Sequence, residues 1–199
     1  MKKLLVVLLL CCLIYGNKSQ TIKQETSSIL FETDNKVIAK FVTSKEKKQI
    51  NHPFIEFCEK YQEIAIFHHL EYGIPVSIQF AQAIAESGGG KSDLAILANN
   101  LFGMKYYKEL YLGDYFQSES GVKWRKYNSF EESFEDHALF LKKFYPHAVG
   151  KPWKYWIENC KGYGGIDYWQ HIGKIIEMYE LYNYDDEIKK TLKNKTYQI

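Results

Sequence analysis

The stretch Pro75-Val-Ser-Ile-Gln-Phe-Ala-Gln-Ala-Ile-Ala-Glu86-Ser-Gly-Gly-Gly-Lys-Ser92 constrains the fold of this chain more than any other. It reads as an alanine-rich apolar helix that carries one carboxylate in its last turn and then breaks on three glycines. Pro75 suits a first helical turn, where a missing N–H costs nothing, and Gly88 to Gly90 stop the helix. Val76, Phe80 and Ile84 recur at helical spacing, while Gln79, Gln82 and Glu86 form a second stripe. The small Ala81, Ala83 and Ala85 admit close neighbours. The spacing therefore predicts a core helix with one polar line facing a cleft. A carboxylate at a helix C-terminus meets the negative end of the macrodipole, and an apolar wall would desolvate it. Both effects favour the protonated form that a general acid needs near neutral pH. Residue type alone favours reading Glu86 as a solvated surface glutamate.

The 199 residues are enough for one domain with flanking tails. Lys2 and Lys3 precede an apolar run from Leu4 to Tyr15, the charged and hydrophobic regions of a secretory signal, and the run is short for a membrane span. Residues 1–16 are accordingly expected to be a signal peptide and the protein to be exported, with no membrane span after signal removal. A lipoprotein signal using Cys11 or Cys12 is the alternative, although neither follows a small residue. Residues 17–51 read as a polar linker or arm, 52–185 as the packed domain and 186–199 as a polar tail. Cys58 and Cys160 remain after the leader; an exported pair could form a disulfide or stay as two buried thiols.

Several chemistries drop out on composition and spacing. With 26 basic against 24 acidic residues there is no electrostatic case for nucleic acid. The histidines are scattered, HExxH and CxxC are absent, and neither a metal nor a cofactor is expected. Gly88-Gly-Gly-Lys91-Ser92 is not a phosphate loop, because Ala85 stands where that motif needs glycine and a helix precedes it. No nucleophile elbow marks a serine triad. The 16 Tyr, 12 Phe and 4 Trp are in excess, and Tyr and Trp rings suit both sugar faces and ordinary cores.

Along the chain, helical spacing runs from Phe54 to His68 and ends at Tyr72-Gly73, before the Pro75 helix. A short segment starts on the capping residue Ser92, and Leu101 to Lys105 is a strand or turn. From Tyr106 to Trp124 alternating aromatic and polar residues with turn signals predict a small antiparallel hairpin. Ser129-Phe-Glu-Glu132 is a capping box opening a helix through Phe144. An aromatic helix from Trp153 to Cys160 follows, and Asp167 is expected to cap a last helix from Tyr168 to about Tyr182. The sum is about six helices around one hairpin, a mainly helical α+β domain. Paired carboxylates suit such a frame: glycoside hydrolysis takes an acid to protonate the leaving oxygen and, in the standard case, a second carboxylate across the sugar. Glu86 on the helix and Glu119 in the hairpin fit the geometry of lysozyme-like clefts. Asp114 rivals Glu119, which is also readable as a solvated turn residue.

The run from Tyr72 to Ser92, followed by Ala98-Asn-Asn-Leu-Phe-Gly-Met-Lys105, resembles the peptidoglycan N-acetylglucosaminidases of glycoside hydrolase family 73. Further matches are Trp124-Arg-Lys-Tyr-Asn-Ser-Phe-Glu-Glu-Ser133, Asp136-His-Ala-Leu-Phe-Leu141 and Gly162-Tyr-Gly-Gly-Ile-Asp-Tyr168, all in the family's order between about 53 and 185. The resemblance implies a lysozyme-like α+β fold and a monomer that cleaves the β-1,4 bond after N-acetylglucosamine in cell-wall glycan strands. It implies Glu86 as general acid, Glu119 as second carboxylate and Tyr163 beside the reacting sugar. Gln82, Asn100, Phe102, Tyr127 and Tyr168 are implied at the substrate cleft. Gly89 stands where the family often has an aromatic residue, which would loosen the wall beside Glu86. A lytic transglycosylase and a non-catalytic glycan-binding domain are the competing readings.

Overall fold

A computed structural model describes residues 52–196, with side chains through Lys193. The expected leader and most of the linker lie outside the described residues. Among those described there are seven helices and one two-stranded antiparallel sheet, the α+β arrangement expected from the spacing.

Helix α1 (Pro53–Tyr72) starts with Pro53 at its first position and His52 as N-cap, whose Nδ1 accepts from the Phe54 amide at 3.2 Å. It ends at Gly73, in the left-handed region at φ 67°. Gly73 has a second constraint, because a Cβ there would meet the Gly150 amide nitrogen at 2.8 Å. Helix α2 (Val76–Ser87) is the centre of the domain, and ten of its twelve residues are buried. It packs on α1, on α6 (Tyr168–Met178) and on α7 (Tyr182–Thr196). Being enclosed on several sides changes the reading of its polar stripe. Gln79 is fully buried, with Nε2 donating to the carbonyls of Ala65 and Ile74 and Oε1 facing His68 Nδ1 at 3.1 Å. Gln82 is fully buried as well, so of the three only Glu86 reaches solvent.

Short helix α3 (Asp93–Ala98) is capped by Ser92, whose Oγ accepts from the Ala95 amide at 3.2 Å. The chain then turns and crosses into the β-lobe, where Lys105 bridges to Trp124. Strands β1 (Tyr115–Gln117) and β2 (Lys123–Arg125) pair Tyr115 with Arg125, Phe116 with Trp124 and Gln117 with Lys123. The sheet is shorter than the alternating pattern predicts, because Tyr107 to Leu110 fold into a turn with the Leu110 amide on the Tyr107 carbonyl.

Helix α4 (Phe130–Phe144) carries the expected capping residues: Ser129 Oγ accepts from the Glu132 amide, and Glu132 reaches back to the Asn128 amide at 2.9 Å. Its buried Phe134 meets Phe57, Phe80 and Phe102 at centroid distances of 5.2–6.3 Å, so aromatic rings from α1, α2, α4 and the Leu101–Gly103 turn make one core. Helix α5 (Trp153–Asn159) buries Trp156 against Trp169 of α6. Asp167 precedes α6 but makes no side-chain cap.

The C-terminal reading needs correction. Helix α6 stops at Met178, Glu180 takes φ 50°, and α7 continues to Thr196 through most of the stretch expected to be a polar tail. Its polarity misleads because only one face is buried, through Tyr184, Asp185 and Ile188. Asp185 accepts from both the amide and the hydroxyl of Ser77. It supplies the cap that Pro75, at the N-cap position of α2, cannot make. No disulfide joins Cys58 to Cys160; both are buried, and burial raises the Cys160 thiol to about 11.

Candidate active site

Helix α2 delivers Glu86 to the surface one residue before its end, and Gly88 at φ 59° closes the helix behind it. The residue is exposed as a whole, yet its carboxyl is crowded. A methyl group placed on Gly103 would lie 3.8 Å from Glu86 Oε2 and 4.0 Å from the Trp124 ring, so the β-lobe comes close at that point. From α6, Tyr168 offers its hydroxyl as a hydrogen-bond donor to the carboxylate, with His171 near on the same face. Desolvation is the largest influence and raises the Glu86 pKa above the ordinary value; the Tyr168 hydrogen bond and His171 oppose it. The expected direction of the shift is present, with desolvation by its neighbours as the leading cause.

The loop before α6 adds Tyr163, half buried, whose ring centroid lies 4.9 Å from that of Tyr168. Its hydroxyl is 3.2 Å from His137 Nε2. Burial, and next the charge of Glu86, push the Tyr163 phenol well above its ordinary pKa; Tyr168 is raised by burial, then by Tyr163 and Glu86. Both phenols are therefore neutral donors at any physiological pH. The structure thus brings together Glu86, Tyr163, Tyr168 and, behind Tyr168, Gln82, whose Nε2 donates to the Tyr168 hydroxyl at 3.2 Å.

Other residues expected at the cleft lie behind it. Asn100 is buried and its amide is fully used: Nδ2 donates to the carbonyls of Met104 and Arg125, and Oδ1 accepts from the Met104 amide, all at 2.9 Å. It ties the turn carrying Gly103 to β2. Phe102, 2% exposed, stacks on His137 in the core. Tyr127 is buried and donates to Asp136 Oδ2, which also takes Arg125 Nη1 at 2.6 Å. That group clamps the β-lobe to α4. Gln82 likewise shows no surface to a ligand. All four are buried in this structure: Asn100 and Tyr127 spend their polar groups on the scaffold, Phe102 packs in the aromatic core, and Gln82 meets Tyr168.

Glu119 sits exposed in the turn joining β1 to β2, and no hydrogen bond or ion pair ties it to Glu86 among the described residues. Asp114 is exposed beside β1. Nor does Gly89 loosen the wall at Glu86: at φ 65° a Cβ on it would point to Phe54 and Phe57 of α1. Sequence reasoning missed Gly103, Trp124, His137 and His171. Gly103, Trp124 and His137 lie inside motifs that carry the family resemblance, and His171 follows Tyr168 by one helical turn, which was the available signal. Among the described residues no group of three or more His, Cys, Asp or Glu could hold a metal ion.

The chain is similar to known proteins of one family. The glucosaminidase family model, described as mannosyl-glycoprotein endo-β-N-acetylglucosaminidase, matches residues 61–181. The exo-glucosaminidase LytG of Bacillus subtilis (strain 168) is 35% identical over 170 residues, covering 76% of this chain and 60% of LytG. The chain thus spans about three fifths of that relative's length. The fold resembles the glycoside hydrolase domain of FlgJ from Salmonella typhimurium (TM-score 0.55, 19% identical, covering 74% of this chain and 100% of that one). It also resembles the catalytic domain of the autolysin Auto from Listeria monocytogenes (TM-score 0.50, 24% identical, covering 71% and 92%). With the family model matching more than half of the chain, from inside α1 to just before α7, the chain belongs to the glucosaminidase family.

Proposed function

We propose that this protein is an exported peptidoglycan hydrolase that cleaves the β-1,4 bond after N-acetylglucosamine, with Glu86 as general acid. The observation that carries the reading is the desolvated Glu86 carboxyl at the end of α2, met by the Tyr168 phenol, in a chain of the glucosaminidase family. A carboxyl whose pKa is raised keeps its proton at higher pH and can give it to the glycosidic oxygen as the bond breaks. Tyr163 and Tyr168 present neutral hydroxyls and ring faces to the reacting sugar. In the two-carboxylate form of the mechanism, Glu119 activates water or stabilises the developing oxocarbenium charge, with Asp114 as its rival. The basic and apolar N-terminus supports export, and cell fractionation with a leader deletion tests it.

One observation favours a second reading. The side chains that act on Glu86 are Tyr168 and His171, with no carboxylate among them. A single-acid reaction fits that setting, either with the substrate's own N-acetyl group assisting or as a lytic transglycosylase. Digestion of purified peptidoglycan with mass spectrometry of the products decides. Reducing N-acetylglucosamine ends are expected, whereas anhydro-muramyl ends would identify a transglycosylase. The Glu86→Gln variant is expected to lose at least about 100-fold in rate, the lower range for a positioned acid. Full activity in that variant overturns the reading. Unchanged hydrolysis by both Glu119→Gln and Asp114→Asn would remove the second carboxylate from the mechanism.

A further inference from the structure

Two buried side chains stand directly behind the cleft tyrosines. His137 on α4 stacks on Phe102, 3.8 Å between centroids and 2° between planes, and faces the Tyr163 hydroxyl through Nε2. Gln82 on α2 faces the Tyr168 hydroxyl through Nε2. Each is fully buried, and each has its other polar atom, His137 Nδ1 and Gln82 Oε1, without a hydrogen-bond partner among the described residues.

Those unpartnered atoms decide where the protons lie. Burial pushes the His137 pKa down to about 3, so its imidazole is neutral and carries one N–H. A proton on Nδ1 would leave a buried N–H with no acceptor, a rarer and costlier defect than an unused lone pair. The proton therefore belongs on Nε2, where it is donated to the Tyr163 oxygen. Tyr163 must then turn its own proton away from α4, toward the cleft. Gln82 repeats the pattern: its amide N–H occupies the Tyr168 oxygen, and the Tyr168 proton is left for Glu86. Once Glu86 has given up its proton it can only accept, so the Tyr168 proton points the right way for the carboxylate left behind.

We propose that His137 and Gln82 are positioning residues that donate into the Tyr163 and Tyr168 oxygens from behind, turning both phenol protons toward the cleft where Glu86 gives up its own. The proposal rests on the reading of Glu86 as the acid. The other titratable groups in play are His171 on α6, whose charge acts on Glu86; His68 on α1, whose charge acts on His137 and which is paired with Glu135 Oε2 of α4 at 2.6 Å; and Tyr145, which acts on Tyr163. Oriented O–H donors stabilise the carboxylate left after proton transfer and need no reorganisation as it forms.

The first test uses the full wild-type chain: long-range ¹H–¹⁵N NMR of the histidine rings at neutral pH. His137 is expected as a neutral ring with its proton on Nε2; a proton on Nδ1, or an imidazolium, overturns the proposal. The second compares His137→Phe, which keeps the stack on Phe102 and removes the donor, with His137→Gln, whose amide can donate again. His137→Phe should lose about tenfold in kcat with KM nearly unchanged, the loss of roughly one hydrogen bond's differential stabilisation. The basic limb of its kcat/KM profile should move to higher pH, because the ionised form of Glu86 has lost support, and His137→Gln should recover part of both changes. An unmoved basic limb and wild-type kcat in His137→Phe overturn the proposal. Glu86→Gln run alongside separates the two ideas: if it stays active, the acid assignment has failed. If it is inactive while His137→Phe behaves as wild type, only the positioning role has failed.

Discussion

At the scale of the residue, the role proposed for Glu86 works against stability. Its pKa in the folded protein is raised above the unfolded value, chiefly by desolvation. Between those two values the folded state holds more proton than the unfolded one, so this group lowers stability as pH rises through the window. Replacing it by the neutral isostere removes that cost. Glu86→Gln should therefore resist urea better than wild type at neutral pH, and the gap should close as pH falls below the ordinary carboxylate range. Denaturation midpoints at several pH values check this, and a constant gap would mean the carboxyl is solvated like any other. Gly103 is the second informative residue. Its φ of 60° disfavours a side chain, and a methyl group there would face Glu86 and Trp124 at about van der Waals distance. Gly103→Ala should cost about 1 kcal/mol of stability from backbone strain alone. It should also lower kcat/KM more than that loss explains, which thermal melting and glycan digestion of the same sample would show.

At the scale of the element, the domain's organisation depends on contacts between distant segments. Helix α2 begins with Pro75 and has no local side-chain cap; Asp185, on the last helix, provides one through Ser77. Asp185→Ala should cost about 2 kcal/mol, the upper range for a lost cap that also leaves buried donors unpaired. A shifted urea midpoint at unchanged m-value is the expected readout, and a shift below a few tenths of a kcal/mol would deny Asp185 that role. Here sequence reading had a clear limit. The α2 boundaries were legible because proline, alanine spacing and the triple glycine are local signals. Helix α7 was not legible, because its three inward residues stand among lysines and acids, and what makes it helical is the neighbour it packs against. The hairpin was legible as a region and overestimated in length, since a turn at Tyr107–Leu110 interrupts an alternation that looks continuous in one dimension.

At the scale of the whole molecule, the aromatic core backs directly onto the cleft: buried His137 stacks on Phe102 and meets the Tyr163 hydroxyl. Keeping a histidine neutral in such a core makes the fold acid-sensitive. His137 is pushed from an ordinary 6.5 to about 3, so below pH 6.5 the unfolded state takes up a proton that the folded state refuses. Stability should fall as pH drops through that window, by up to about 1.4 kcal/mol per pH unit for this group. His137→Phe should show a shallower decline, by about one proton, in denaturation midpoints between pH ~6.5 and ~4.5; an unchanged slope would mean that the ring charges freely. The sequence alone determined the central helix, its terminal carboxylate, the order of the family's motifs and the α+β class, because these depend on local spacing and residue type. Only the tertiary structure decided which motif residues reach the cleft. Gln82, Asn100, Phe102 and Tyr127 lie in the same series of motifs as Glu86, Tyr163 and Tyr168, yet packing turns them inward. Glu86 entered as one polar residue in a stripe of three; with Gln79 and Gln82 enclosed by α1 and α6, it is the one whose carboxyl is left at the boundary between core and solvent, where desolvation can raise its pKa.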